Sequence, residues 1–182
     1  QDVLERMDIV EFFAQCGGKW FSQRTSYYLA TKQSDVGKAD LVIELLEQGD
    51  AAVIQICEQH RIDPGQALCG ARIVSNGTAL QGKPQSSSTL LVPVSDRDQP
   101  NAGQLLRGTG ADQAVVSSRY VMGTDDALTL IAEAEGFYSE ERLWFASENL
   151  RFRTSLLKQA GGFSMASFFS EIRMGVTKPP EN

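Results

Sequence analysis

The chain has 182 residues, 42% of them hydrophobic and 22% charged, which suffices for one domain with a substantial core and does not resemble a disordered chain. Seventeen Lys and Arg against 23 Asp and Glu give a net charge of -6, the wrong balance for a protein that grips nucleic acid through clustered cations. No apolar run reaches the roughly 20 residues of a membrane helix, and the opening QDVLERMDIVEFF has scattered acids and no small-residue cleavage site, so neither a membrane partner nor an export signal is expected.

Residues 1–182 read as a single domain, with residues 1–6 as a loose leader ahead of the first helical signal. From Asp8 to about Cys16 the apolar residues Ile9, Phe12, Phe13 and Cys16 recur at offsets of three and four, and Gly17-Gly18 supplies a stop, which predicts a short amphipathic helix. A second helix is predicted from the N-cap Asp50 through Val53, Ile54 and Cys57 toward Arg61, ending before Asp63-Pro64. The remainder reads as about ten strands: Gly18 to Lys32, Lys38 to Glu47, Leu68 to Ser75, Thr78 to Gly82, Ser87 to Val94, Ala114 to Met122, Ala127 to Glu135, Phe137 to Ala146, Leu150 to Lys158 and Phe163 to Met174. Their connections include SDVG, Asn76-Gly77, GTDD, SENL and Gly161-Gly162, all suited to hairpins. The stretch Pro93 to Gly110 lacks period and is expected to be the one long loop. An up-and-down run of this length is expected to close, because closure removes exposed sheet edges. The fold class is therefore all-β, a ten-stranded antiparallel up-and-down barrel with an N-terminal helix and a short helix between early strands. Such barrels often hold one ligand.

The chemistry available to the chain itself is narrow. Cys16, Cys57 and Cys69 are odd in number and lack ligand spacing, and His60 is the only histidine. Disulfide frameworks, metal sites and His-based nucleophilic catalysis are therefore not expected, and a reducing compartment is. Strand alternation sorts the remaining polar residues by face. Arg151, Arg153 and Ser155 share a face of LRFRTSLL; Glu141, Leu143 and Phe145 share one of YSEERLWFA, opposite Arg142 and Trp144; Trp20, Ser22, Arg24, Ser26 and Tyr28 share one of WFSQRTSYYLA. Arginines facing a cavity suit a carboxylate ligand, which a guanidinium binds through paired hydrogen bonds, and a nearby Glu suits ligand N–H groups. The alternative is that Arg24, Arg151 and Arg153 cover the outer face and pair with Glu141 or Glu133.

Three long runs, MDIVEFFAQCGGKWFSQRTSYYL, RYVMGTDDALTLIAEAEGFYSEERLWFASENLRFRTSLLK and GGFSMASFFSEIRMG, resemble the S-type phycobiliprotein chromophore lyases, the bilin lyases of cyanobacteria and algal plastids. The resemblance spans Met7 to Gly175. It implies a barrel related to fatty-acid-binding proteins and lipocalins that binds a free linear tetrapyrrole, phycocyanobilin or phycoerythrobilin, and attaches it by a thioether to a cysteine of a phycobiliprotein subunit, of beta type or alpha. The bilin is then a substrate, with no permanently bound cofactor and no metal. The resemblance leaves open whether the protein works alone, as a homodimer or with a paralogous partner subunit, and implies a cyanobacterial cytoplasm, or alternatively a plastid stroma. Position by position the resemblance assigns a bilin-contacting arginine to Arg24, a catalytic acid to Glu141, a second catalytic residue to Arg151 and a hydroxyl to Ser155. Ser26 and Arg153 join them on shared faces, and Trp144 is a candidate stacking surface with rim packing as its alternative. The sequence departs from the family's pattern where relatives carry tryptophans near the third and fourth strands; Ser75 and Gln81 stand nearest those positions. A carrier without transfer chemistry, and a protein-interaction module that uses the barrel as scaffold, are the alternative readings.

Overall fold

The structure, a computed structural model, describes residues 6–78, 82–108, 117–160 and 164–175. Its first helix, α1 (Ile9–Cys16), is capped by Asp8, whose carboxylate accepts the Glu11 N–H at 2.8 Å, and it buries the periodic set Ile9, Phe12, Phe13 and Cys16. Gly17 ends the helix, and Gly18, at a φ of 119°, turns the chain into the first strand.

Ten antiparallel strands follow: β1 (Gly18–Tyr28), β2 (Gln33–Leu46), β3 (Gly70–Thr78), β4 (Pro84–Pro93), β5 (Ala102–Gly108), β6 (Ser117–Met122), β7 (Leu128–Ala134), β8 (Phe137–Ser147), β9 (Leu150–Gln159) and β10 (Ser164–Arg173). Each pairs with its neighbours in sequence, and β1 pairs with β10 from Trp20↔Arg173 to Tyr28↔Met165. The result is a closed barrel in which every strand is paired on both edges.

α1 sits at the barrel end where β1 starts. Its Phe12 and Phe13 belong to one buried cluster with the inward residues Trp20, Leu41, Ile43, Leu91, Leu105, Tyr120, Met122, Leu128, Leu130 and Leu143. This half of the barrel is filled. Toward the other end the inward positions become small or ionised: Gly37, Gly77, Ser87, Ser118, Ala132, Ser139, Ser155 and Ser167 alternate around the wall with Arg24, Arg107, Glu141 and Arg153. Small side chains cannot fill a ten-stranded barrel, and that half stays open.

The second helix, α2 (Ala51–Gln59), is capped by Asp50 and packs outside the barrel. Val53, Ile56 and Cys57 bury themselves against Val92 of β4, Leu106 of β5 and Leu46 of β2. Gly70 gives it room, since a Cβ there would lie 2.8 Å from Val53 Cγ2.

The architecture agrees with the sequence reading while several boundaries differ. The segment SDVG lies inside β2 instead of between strands; the chain turns earlier, at residues 29–32, where Lys32 adopts a φ of 54°. Asn76-Gly77 lies inside β3 and is not a hairpin turn, because the missing side chain of Gly77 lets β3 lie against Lys38 and Ala39 of β2. The strand expected at Thr78 to Gly82 is not separate: Thr78 ends β3, and residues 79–81 lie outside the described residues. The expected loop from Pro93 to Gly110 contains β5. Leu105 faces the core and Leu106 faces α2, so this strand is buried on both sides and shows no alternation. The leader residues 1–5, the Gly161-Gly162 turn and the starts expected at Ala114 and Phe163 also fall outside the described residues.

Candidate functional site

The strand register stacks the inward polar residues into rows. One row crosses five strands as Glu141 (β8), Ser155 (β9), Ser167 (β10), Ser26 (β1) and Asp35 (β2). The next, deeper row holds Leu143, Arg153, Phe169, Arg24 and Gly37; the one below it holds Phe145, Arg151, Glu171, Ser22 and Ala39. Arg24, Ser26, Glu141, Arg151, Arg153 and Ser155 thus all face inward, which decides against the reading in which the arginines cover the outside. Glu133 pairs instead with Arg119 on the outer wall, at 3.2 Å.

Arg24 crosses the barrel wall over Gly37: a Cβ on Gly37 would lie 2.5 Å from its Nη2. Its Nη1 donates to Ser26 Oγ at 2.6 Å, Ser26 and Ser167 hydroxyls share a 2.7 Å hydrogen bond, and Nη2 meets Asp35 at 3.3 Å. Arg153 lies with its guanidinium carbon 3.7 Å from the Phe169 ring centroid. It reaches Glu171 at 3.4 Å through Nη2 and Glu141 at 3.9 Å through Nη1, and its buried Nε has no partner. Arg24, Arg153 and Phe169, with Ser22, Ala39, Leu41, Ser75, Ser87 and the glycines of β2 and β3, line a cavity of about 180 Å³. Ser75 lines this cavity, and Gln81 lies outside the described residues.

Arg151 does not reach the cavity. Its Nε and Nη2 donate to Glu171 at 3.1 and 2.8 Å, its Nη1 to Cys16 Sγ at 3.3 Å, and the guanidinium carbon stands 5.4 Å from the Trp20 ring centroid. Arg151 is 5% exposed and Glu171 0%. Burial alone raises the Glu171 carboxyl, yet the Arg153 and Arg151 guanidiniums and hydrogen bonds from Arg151 and Ser22 outweigh it and hold the group below the ordinary carboxylate range. Burial opposes the Arg151 charge, and Glu171 and Cys16 overcome that. Burial pushes the Cys16 thiol up in spite of Arg151. The pair is an ionised element of the closed half.

Trp144 lies on the opposite face of β8 from Glu141 and points away from the cavity. It packs against Phe152 at 5.9 Å and under Arg142 at 5.6 Å on the outer wall, whereas Phe169 lines the cavity. Trp20 is a core residue whose indole N–H donates to Cys16 O at 2.8 Å.

The residues that sequence reasoning left out are Asp35, Arg107, Ser167, Phe169 and Glu171. Asp35 sits in the stretch read as a turn. Alternation along SMASFFSEIR puts Ser167, Phe169 and Glu171 on one face.

A family described as "CpeS-like protein" matches residues 8–174. The chain belongs to the CpeS-like family. One relative, named Chromophore lyase CpcS/CpeS, from Thermosynechococcus vestitus, is 57% identical over 175 residues and covers 95% of this chain and 96% of its own. A more distant one, Phycocyanobilin lyase subunit CpcS from Picosynechococcus sp., is 34% identical and covers 92% and 86%. Among solved structures, the S-type phycobiliprotein lyase CPES from Guillardia theta superposes with a TM-score of 0.83 at 28% identity, over 94% of this chain and 96% of its own. The CpeS-like fold is therefore that of this barrel, and the named relatives are lyases.

Proposed function

We propose that this chain is a phycobiliprotein chromophore lyase that takes up a free linear tetrapyrrole, phycocyanobilin or phycoerythrobilin, in the open half of its barrel. It delivers the bilin to a cysteine of a phycobiliprotein subunit of beta type, or alpha. The observation that carries this is the cavity lined by Arg24, Arg153 and Phe169 inside the barrel, in a chain whose relative at 57% identity is named a chromophore lyase.

A bilin brings two propionates, lactam carbonyls and a run of pyrrole N–H groups. The orphaned Nε of Arg153 and the free donors of Arg24 suit its oxygens. Glu141 suits the N–H groups and, as a carboxylate, favours the protonated, more electrophilic chromophore. Ser155, in register with Glu141, orients by hydrogen bonding, and Phe169 offers a face to a pyrrole ring. The acceptor's thiolate then adds to the exocyclic ethylidene carbon of ring A; a carbon–sulfur bond forms, the ring carbon gains a proton, and nothing leaves. Because the nucleophile belongs to the acceptor, this chain needs none of its own. Its contribution is to hold one geometry and exclude water from the reacting carbon. Arg151 acts on this site only through Glu171, which also holds Arg153.

The test mixes the purified chain with phycocyanobilin and an apo beta-type subunit, follows visible absorption, and looks for an adduct on the acceptor that survives denaturation. Adduct formation that depends on this chain is expected. A bound bilin with no labelled acceptor, with phycoerythrobilin tried as well, would make the chain a carrier and sink the lyase reading.

A further inference from the structure

The cavity beside Arg24 is about 180 Å³, well below the roughly 300–1,000 Å³ of sites that hold drug-sized molecules. A tetrapyrrole anchored there extends beyond it, so another wall of the open half must receive the remainder. The closed strand order puts β5 opposite β10 and β6 opposite β1. On that far wall the structure holds Arg107, near the open end of β5. Its Nε donates to the buried Ser118 hydroxyl of β6 at 3.1 Å. The other inward arginines all have carboxylates: Arg24 has Asp35, Arg151 has Glu171, and Arg153 has Glu141 and Glu171. Among the described residues Arg107 is the inward arginine with no ion pair, and the Ser118 bond leaves its two terminal nitrogens unused. A partly buried guanidinium without a counter-charge is costly, and a carboxylate arriving in the fork geometry relieves that cost.

Resting on the bilin-binding reading above, we infer that Arg107 and Ser118 form a second carboxylate subsite, on the wall facing Arg24, which takes one propionate while the other is held on the Arg24 side. Ser118 fixes the Arg107 fork through Nε and leaves Nη1 and Nη2 for the two carboxylate oxygens. The small residues beside it, Ala132 and Ser139, in register with each other and with Ser118 across β7, leave the space a propionate arm needs.

The experiment titrates the full chain with phycocyanobilin and with its dimethyl ester, reading the visible absorption band. Arg107→Gln is expected to weaken the free acid by roughly ten- to a hundredfold, the loss typical of a charged hydrogen-bonding partner, and to leave the ester within about twofold of wild type. Arg119→Gln, next to Ser118 on β6 but paired with Glu133 on the outer wall, is expected to change neither. If Arg107→Gln does not fold, Arg107→Lys carries the test: it keeps the charge, loses the fork, and should shrink the ratio of acid to ester affinity. Equal effects on acid and ester, or no effect on either, overturn the subsite while wild-type binding keeps the bilin reading intact. Failure of wild type to bind either form overturns both.

Discussion

Replacing Glu171 by Gln separates the structural ions of the barrel from the ligand-facing ones. The substitution keeps the shape and removes the charge, so Arg151, itself 5% exposed, retains its own with no carboxylate beside it. Removing one member of a buried pair costs about 3–5 kcal/mol, because the survivor stays buried and uncompensated. Arg153 adds little to this, since it keeps Glu141 and is 20% exposed at its side chain. For a domain of this size each kcal/mol lowers the Tm by about 2–4 °C, so a drop of about 6–20 °C is expected. The exposed pair Arg72–Glu44, with side chains 38% and 61% exposed, is the internal comparison: Arg72→Ala should cost less than about 1 kcal/mol. The double variant Arg151→Met/Glu171→Leu, with no charge left to bury, should recover most of the loss. The assay is urea unfolding of the four proteins. The pH dependence follows from the same pair. The folded-state pKa of Glu171 lies below its unfolded value, so its contribution is complete above about pH 4.3 and is lost as the pH falls from there through the folded value. Glu171→Gln should therefore flatten the acid limb of the stability curve. A Glu171→Gln protein within about 1 kcal/mol of wild type, or a double variant no more stable than Glu171→Gln, would refute the reasoning.

Three further outcomes are expected. Phe12, 0% exposed at the centre of the α1 plug, should cost about 3–5 kcal/mol when replaced by Ala, measured by urea unfolding, while the open half keeps its residues. Gly37→Ala would bring a Cβ within 2.5 Å of Arg24 Nη2; the flexible guanidinium can yield, so stability should stay within about 1 kcal/mol while bilin affinity, read by absorption, falls severalfold. The thiols should be unreactive in the native protein: Cys16 and Cys57 are buried, and burial with help from Asp8 pushes Cys69 up to about 12. Ellman's reagent at pH 8 should thus label the folded chain far more slowly than the unfolded one, and rapid reaction of one native thiol would contradict transfer without a nucleophile of the chain's own.

The elements most legible in the sequence are those that bury one face. α1, β6 and β7 show their period plainly, because one side meets the core and the other meets solvent. β5 does not, since Leu105 and Leu106 are adjacent and both buried, one against the barrel core and one against α2. The site was legible in the same measure. Alternation grouped Arg24 with Ser26 and Arg153 with Ser155 but left open whether those faces point in or out; the strand register turns them, and the Glu141 face, inward. Alternation also put Trp144 on the face opposite Glu141, against its use as an interior stacking surface, and the outer packing of Trp144 on Phe152 follows that alternation.

Alternation gives the face of a strand but not the depth at which a residue meets the interior, and the two arginines of LRFRTS differ only in depth. Both point inward, two residues apart on β9. The height of α1 decides between them. Cys16, the last residue of the helix, comes within 3.3 Å of Arg151 Nη1, so on the β9 and β10 side the plug ends at the Arg151 row and the cavity starts with Arg153 and Phe169. Lowering α1 by one row would give Arg151 to the ligand; where it stands, Glu171 and Cys16 claim that guanidinium and leave Arg153, with its unpartnered Nε, to face the cavity. The same plug explains how a barrel can carry so much charge inside: the ions of the closed half are mutually paired, and those of the open half lie where solvent or a polar ligand can reach them. Glu171 joins the two levels by accepting from Arg151 below and Arg153 above, so a change deep in the core reaches the ligand wall through a single carboxylate.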